Sequence, residues 1–159
     1  MAREHTVLIV TDDPELARVA MAAAEDNGAA GVTVASFDEA VSAGDGQEIT
    51  MAVIDLDLPD QEGWKATEEL RRLHFRNPLQ VLLCSENRES EFAEAALDAG
   101  GDDLLIKPVD GPEMHVRLRA ATIRLRHQTD LHHEREFYRR AVKQEEELSS
   151  RVLDQNLHL

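Results

Sequence analysis

The sequence predicts an α/β protein built on a doubly wound, five-stranded parallel sheet. Short runs of aliphatic and β-branched residues alternate five times with segments whose apolar residues recur at helical spacing. Runs that are apolar at every position are typical of strands buried on both faces. Parallel neighbours also need crossover connections, and the helical segments supply them.

The first half of the chain contains three predicted strands and two predicted helices. The strands are expected over residues 6–11, 32–36 and 51–56. Asp13 and Pro14 give the first helix an N-cap and a proline at its first position. A short helix over about 37–43 follows the second strand, and the Gly-Asp-Gly segment at 44–46 indicates a turn.

The second half continues the same alternation and ends in a long helix. An amphipathic helix after Gly63 is expected to end at Asn77-Pro78, because proline disfavours helical backbone at the residue before it. Two further strands, with a shorter helix between them, are predicted over residues 81–84 and 104–106. From about residue 111 the sequence is predicted to be helical almost to its end.

Composition restricts the classes of function that the chain can have. The 17 Lys and Arg residues against 32 Asp and Glu residues give a net charge of −15, which repels phosphate backbones. Direct nucleic-acid binding is therefore not expected. The single Cys84 excludes an internal disulfide and fits a reducing compartment. No apolar stretch reaches the ~18 residues of a membrane span, so we expect a cytoplasmic protein without membrane contact.

Polar side chains follow four of the five predicted strands. In chain order they are Asp12 and Asp13, Asp55 and Asp57, Ser85, and Lys107. The carboxyl ends of parallel strands share one edge of the sheet, where ligands bind. Clustered carboxylates repel one another unless a cation joins them, and Mg²⁺ prefers oxygen ligands. A carboxylate can also act as a nucleophile and form an aspartyl phosphate, whose oxygens an ammonium group would stabilise.

Taken in order, these motifs resemble the receiver domain of two-component response regulators. The matching blocks are Asp12-Asp13, Ile54 to Gly63, Cys84-Ser85 and Lys107-Pro108, and the resemblance covers roughly residues 5–126. It implies a flavodoxin-like (βα)5 fold with strand order 2-1-3-4-5 and a receiver domain over residues 1–126. It also implies a cis peptide bond between Lys107 and Pro108.

The resemblance further implies a role for each candidate residue. Asp55 would accept the phosphoryl group, Ser85 would be the switch hydroxyl and Lys107 the ionic partner of the phosphoryl group. Mg²⁺ would be held by Asp12, Asp13, Asp55 and the backbone carbonyl of Asp57. The implied partner is a histidine kinase or a histidine phosphotransfer protein. The implied chemistry is limited to autocatalytic phosphorylation and dephosphorylation of the aspartate, so the chain is not expected to be an enzyme in the usual sense.

Several positions depart from the family pattern or leave other functions open. Leu104 stands where an aromatic residue is usual, and Glu86 stands where Ala or Gly is usual. Asp57 and Asn87 occupy positions that tune dephosphorylation in the family. A degenerate receiver that acts only through protein contacts is therefore the alternative.

Two other protein classes share single features of the sequence. The segment Asp55-Leu-Asp57 also resembles the motif of haloacid-dehalogenase-type phosphatases, which ordinarily have a longer chain and leave Asp12-Asp13 unexplained. A flavodoxin-like flavin carrier would have a similar sheet, but the acids would repel the flavin phosphate.

Residues 127–159 are predicted to form a helical extension. Heptad positions a and d at 131, 134, 138, 141, 145, 148, 152, 155 and 159 carry Leu, Glu, Tyr, Ala, Glu, Leu, Val, Gln and Leu. Because six of these nine are apolar, a parallel coiled coil between two copies of the chain is expected, and a frayed tail is the alternative. The sequence is also expected to be a fragment of a longer protein whose output module follows.

Overall fold

The five predicted strands are present and pair in parallel. In the computed structural model, which describes residues 4–157, they are β1 (Thr6–Val10), β2 (Ala30–Val34), β3 (Met51–Asp55), β4 (Gln80–Ser85) and β5 (Asp103–Ile106). Their order across the sheet is β2-β1-β3-β4-β5, and every neighbouring pair is parallel. The predicted fold class and the strand order 2-1-3-4-5 are therefore confirmed.

Helices connect the strands and cover both faces of the sheet. They are α1 (Pro14–Asp26), α2 (Phe37–Gly46), α3 (Glu62–Leu73), α4 (Ser90–Asp98) and α5 (Gly111–Leu157). A 3₁₀ turn over Pro59–Gln61 precedes α3. Asp13 caps α1 and Pro14 occupies its first position, as the sequence predicts.

Helix α2 continues through the glycines of its last turn. The predicted turn at 44–46 is wrong, because these residues belong to the helix. The physical reason is packing: Gly44 is buried, and a Cβ at this position would lie 2.7 Å from Leu70 Cδ2 of α3. The missing side chain lets α2 approach α3 closely, and that contact outweighs the low helix propensity of glycine.

Alternate residues of the central strands pack into two separate cores. One core contains side chains of α1 and of the first part of α5, and the other contains side chains of α2, α3 and α4. In β3, Met51 and Val53 join the first core, whereas Ala52 and Ile54 join the second. The apolar runs of β1, β3 and β4 are buried on both faces, as expected for the central strands of a parallel sheet.

Arg71 of α3 ties together the chain segments that flank β4 and β5. Its Nε donates to the Gly100 carbonyl at 2.8 Å, and its Nη1 donates to the Leu79 carbonyl at 2.8 Å. Its Nη2 pairs with Asp102 Oδ2 at 2.5 Å. Hydrogen bonds from a charged donor are stronger than neutral ones, so we expect Arg71 to stabilise the fold.

Replacing Arg71 with alanine is expected to lower the free energy of unfolding by about 2–3 kcal/mol, because two carbonyls and a carboxylate lose a charged donor. Arg72 is the matched control, since it is exposed and pairs with the half-buried Glu69 one turn earlier in the same helix. Arg72→Ala is expected to leave the free energy of unfolding nearly unchanged, because surface ion pairs contribute little. Urea denaturation measures both variants, and equal losses would contradict the structural role of Arg71.

The chain forms two compact units, one ending at Leu125 and the other beginning at Arg126. The second unit is helical through Leu157 and is exposed along almost its whole length. Its exposed large apolar side chains are Leu131, Phe137, Tyr138, Val142, Leu148, Val152, Leu153 and Leu157. Residues 1–3 of the predicted first domain and heptad position 159 lie outside the described residues. Among the helices in residues 4–157, none combines the length and apolar character needed to cross a membrane.

Candidate functional site

Asp55 is the last residue of β3 and is almost completely buried, with 1% of its surface exposed. Its Oδ1 accepts hydrogen bonds from Lys107 Nζ at 2.6 Å and from the Asp57 N–H at 2.9 Å. Its Oδ2 accepts a hydrogen bond from Thr11 Oγ1 at 2.7 Å. A buried carboxylate is costly unless its charge is paired and hydrogen-bonded, and this arrangement meets both conditions.

The backbone of α3 lies directly against Asp55. A Cβ placed on Gly63 would lie 2.1 Å from the Asp55 carbonyl oxygen, so the close approach requires glycine. The preceding turn has left-handed backbone at Asp60 and Gln61, each with φ of 57°. The segment after β3 therefore turns sharply and brings α3 under the strand end that carries the acid.

Lys107 follows β5 and reaches across the sheet edge to Asp55, at the end of β3, and to Asp57, two residues after it. Its Nζ lies 2.6 Å from Asp55 Oδ1 and 3.3 Å from Asp57 Oδ2. Burial disfavours the ammonium, but the hydrogen bonds and attraction of the two carboxylates outweigh it, so the pKa of Lys107 is raised. The Lys107-Pro108 peptide bond is cis, as the resemblance implies.

Asp57 binds the chain segment that follows β4. Its Oδ1 accepts a hydrogen bond from Ser85 Oγ at 2.7 Å, and its Oδ2 accepts one from the Glu86 N–H at 2.9 Å. Burial raises the pKa of Asp57, but these two donors together with Lys107 lower it below its ordinary value. Ser85 is fully buried, and its hydroxyl also accepts a hydrogen bond from the Asn87 N–H at 3.1 Å.

Thr11 connects Asp55 to the segment of acids after β1, and it is not among the site residues predicted from the sequence. Its hydroxyl donates to Asp55 and accepts a hydrogen bond from the Asp13 N–H at 3.0 Å. Asp13 Oδ1 accepts from the Glu15 N–H at 3.0 Å as the cap of α1, and Asp12 is exposed. A hydroxyl residue at the end of an apolar strand, just before two acids, is the signal that could have identified it.

Replacing Thr11 with valine is expected to lower the free energy of unfolding by about 1 kcal/mol, because Asp55 Oδ2 loses a buried donor and the Asp13 N–H loses its acceptor. Thr33→Val is the control, because it makes the same substitution at an exposed position of β2. Its free energy of unfolding is expected to stay within about 0.5 kcal/mol of wild type. Urea denaturation compares the two. A Thr11 variant as stable as the Thr33 variant would contradict the assignment.

The two departures from the family pattern differ in burial. Leu104 in β5 is half-buried and packs against the core shared with α2, α3 and α4. Glu86 is exposed, and its backbone N–H rather than its side chain contacts Asp57. Both positions are therefore occupied without disturbing the contacts among the candidate residues.

Mg²⁺, which the resemblance implies, has candidate ligands at this edge of the sheet. Within residues 4–157, no three His, Cys, Asp or Glu side chains converge closely enough to form a ready-made metal cluster. Four carboxylates lie at or just after the ends of the adjacent strands β1 and β3, and Lys107 pairs with two of them. The oxygen donors and the excess of negative charge fit a hard divalent cation.

Comparison with known sequences identifies the family. Residues 7–119 match the family described as the response regulator receiver domain. The transcriptional regulatory protein TcrA of Mycobacterium tuberculosis is 34% identical over 118 residues, which cover 74% of this chain and 46% of that protein. The transcriptional regulatory protein BasR of Escherichia coli is 32% identical over 114 residues, which cover 72% of this chain and 50% of that protein. The chain thus spans about half the length of these relatives.

Solved structures share the fold. A CheY-like receiver domain protein from Methanospirillum hungatei has a TM-score of 0.67 and 23% identity, and the match covers 79% of this chain and 97% of that chain. NtrX from Brucella abortus has a TM-score of 0.71 and 20% identity, with coverage of 79% and 29%. With the fold, the strand-end residues and the family match in agreement, the chain belongs to the response regulator receiver domains, the signal-receiving modules of two-component phosphorelays.

Proposed function

We propose that Asp55 accepts a phosphoryl group from the phosphohistidine of a histidine kinase or histidine phosphotransfer protein, in the presence of Mg²⁺. The observation that carries this proposal is the buried Asp55 carboxylate at the end of β3, with Lys107 Nζ 2.6 Å from its Oδ1. An ammonium at this distance would remain beside the phosphoryl oxygens after transfer.

The transfer forms one bond and breaks another. An oxygen of Asp55 bonds to phosphorus as the phosphorus–nitrogen bond to the partner histidine breaks. The imidazole nitrogen that leaves keeps the electron pair of the broken bond and takes up a proton from solvent. Lys107 stabilises the charge that develops on the phosphoryl oxygens.

Asp12, Asp13, Asp55 and the backbone carbonyl of Asp57 would hold Mg²⁺, which when bound neutralises phosphoryl charge. For this chain's own acids, such a cation would also offset the mutual repulsion of carboxylates at the ends of β1 and β3. Asp13 Oδ1 is already used by the cap of α1, so its other oxygen is the one left for a metal.

Phosphorylation would then shift the protein between two conformations, with Ser85 as the switch hydroxyl. We propose that residues 1–126 form the receiver and that residues 127–159 form a coiled-coil linker or dimerisation helix between two copies. The exposed Leu131, Tyr138, Leu148 and Val152, all at predicted heptad positions, support this role. The net charge of −15 supports an output through protein partners and not through direct nucleic-acid contact.

The test is phosphorylation by a small donor such as phosphoramidate with Mg²⁺, followed by intact mass spectrometry. We expect wild type to gain one phosphoryl group and Asp55→Asn to gain none. Asp60→Asn, an exposed acid on the same side of β3, is the matched control and is expected to label like wild type. Label retained by Asp55→Asn would overturn the acceptor assignment. A wild-type chain that never labels would favour a receiver that acts through protein contacts alone.

A further inference from the structure

The Asp57 carboxylate contacts three donors at the site, although the proposed phosphoryl acceptor is Asp55. Ser85 Oγ donates to Oδ1 at 2.7 Å, and the Glu86 N–H donates to Oδ2 at 2.9 Å. Lys107 Nζ lies 3.3 Å from the same Oδ2. A hydroxyl, a backbone N–H and an ammonium on one anion are the kinds of donor that bind charged oxygens.

The same donors are the ones that a phosphoryl group on Asp55 would need. Lys107 is shared, since its Nζ contacts Asp55 Oδ1 and Asp57 Oδ2 at once. Asp57 is itself tethered to the acceptor, because its N–H donates to Asp55 Oδ1 at 2.9 Å. A phosphoryl group on Asp55 would therefore be placed next to an anion that already holds its nearest donors.

The direction of the Ser85 hydroxyl shows that this contact is specific. Ser85 is fully buried, its oxygen accepts a hydrogen bond from the Asn87 N–H, and its proton is directed to Asp57. The hydroxyl therefore has one partner as a donor, Asp57, and one as an acceptor, the Asn87 N–H. The Asp57 side chain thus holds the loop after β4 toward the site.

Resting on the proposed phosphoacceptor role of Asp55, we propose that the Asp57 carboxylate is an internal substitute for the phosphoryl group. In the unphosphorylated chain it binds the Ser85 hydroxyl, the Glu86 N–H and Lys107, and it must release them when a phosphoryl group arrives. Asp57 therefore opposes phosphorylation in two ways: it occupies the donors, and its negative charge lies beside the incoming anion.

Beryllofluoride is a suitable probe, because with Mg²⁺ it binds to an acceptor carboxylate as an unreactive analogue of a phosphoryl group. Binding can be followed by the fluorescence of Trp64, the single tryptophan of the chain. Trp64 of α3 packs edge-on against Phe92 of α4 with ring centroids 5.3 Å apart, and α4 follows the loop that Asp57 holds. The ring is therefore placed to report movement of that loop.

The experiment compares the wild-type chain of residues 1–159 with its Asp57→Asn and Asp57→Ala variants at saturating Mg²⁺. Both variants are expected to bind beryllofluoride about tenfold more tightly, equivalent to about 1.4 kcal/mol. Asp60→Asn removes a nearby charge three residues away and is expected to leave the affinity unchanged. In a Ser85→Ala background, the gain in beryllofluoride affinity from Asp57→Ala is expected to be smaller. The Ser85 hydroxyl, one of the donors for which Asp57 and the bound anion compete, is already absent there.

Amide hydrogen exchange tests the geometry without any ligand. The Glu86 N–H is expected to exchange faster in Asp57→Ala than in wild type, because its acceptor is removed. Unchanged exchange at Glu86, or beryllofluoride affinity equal to or weaker than wild type in both Asp57 variants, would overturn the inference while leaving the acceptor role of Asp55 intact. If neither wild type nor the variants bind beryllofluoride, the acceptor role fails and this inference fails with it.

Discussion

Replacing Gly63 with alanine is expected to lower the free energy of unfolding by about 3 kcal/mol and to slow phosphorylation of Asp55 by about 100-fold. The added Cβ would lie 2.1 Å from the Asp55 carbonyl oxygen and 3.0 Å from Leu56 Cα. These neighbours are backbone atoms of the strand end that carries the acceptor, so they cannot move away as a flexible side chain could. Either α3 or the end of β3 must shift, and Asp55 shifts with it.

Gly46→Ala is the matched control for Gly63→Ala. Gly46 is the last residue of α2, and a Cβ there would have no other atom within 4 Å. We expect the free energy of unfolding of Gly46→Ala to stay within about 1 kcal/mol of wild type. A small increase is expected if there is any change, because alanine restricts the unfolded chain. Urea denaturation and phosphoramidate labelling measure the two effects. If Gly63→Ala matched Gly46→Ala in both stability and labelling rate, the close approach of α3 to the Asp55 carbonyl would not be required.

Replacing Lys107 with methionine is expected to have the second large effect. The side chain keeps similar bulk, but the buried Asp55 carboxylate loses its ammonium, which we expect to cost about 3 kcal/mol of stability at pH 7. Labelling by phosphoramidate is expected to slow by about 100-fold, because the phosphoryl oxygens lose a preorganised cation. Lys65→Met on the exposed face of α3 is the control and is expected to change neither quantity.

The stability lost in Lys107→Met is expected to depend on pH. In wild type the pKa of Asp57 is lowered below its ordinary value of 3.8, so its contribution is full above pH 3.8 and is lost as the pH falls through the lower folded-state pKa. A protonated Asp57 no longer attracts the ammonium of Lys107, so the part of the stability difference that comes from Asp57 should shrink as the pH is lowered below 3.8. A difference that stays constant from pH 7 to pH 3 would contradict the ionic role of Lys107.

Much of the fold could be predicted because its local and global signals agree. The apolar run of β3 indicates a strand buried on both faces, and both sides of it are covered by helices. Asp13 and Pro14 begin α1 where a cap and a first-position proline are expected. The end of α2 could not be predicted in this way, because Gly44 packs closely against Leu70, which lies far along the chain.

The hydrophobic pattern locates the strand ends, and parallel strands share one edge, so the acids, the hydroxyl and the lysine could be assigned to that edge without a structure. Which of their atoms are in contact depends on the folded chain. It directs Lys107 to Asp55 and Asp57, recruits Thr11 to the second oxygen of Asp55 and turns Ser85 toward Asp57. These contacts join residues tens of positions apart, and their distances depend on sheet register and on the approach of α3 at Gly63, which no local pattern encodes.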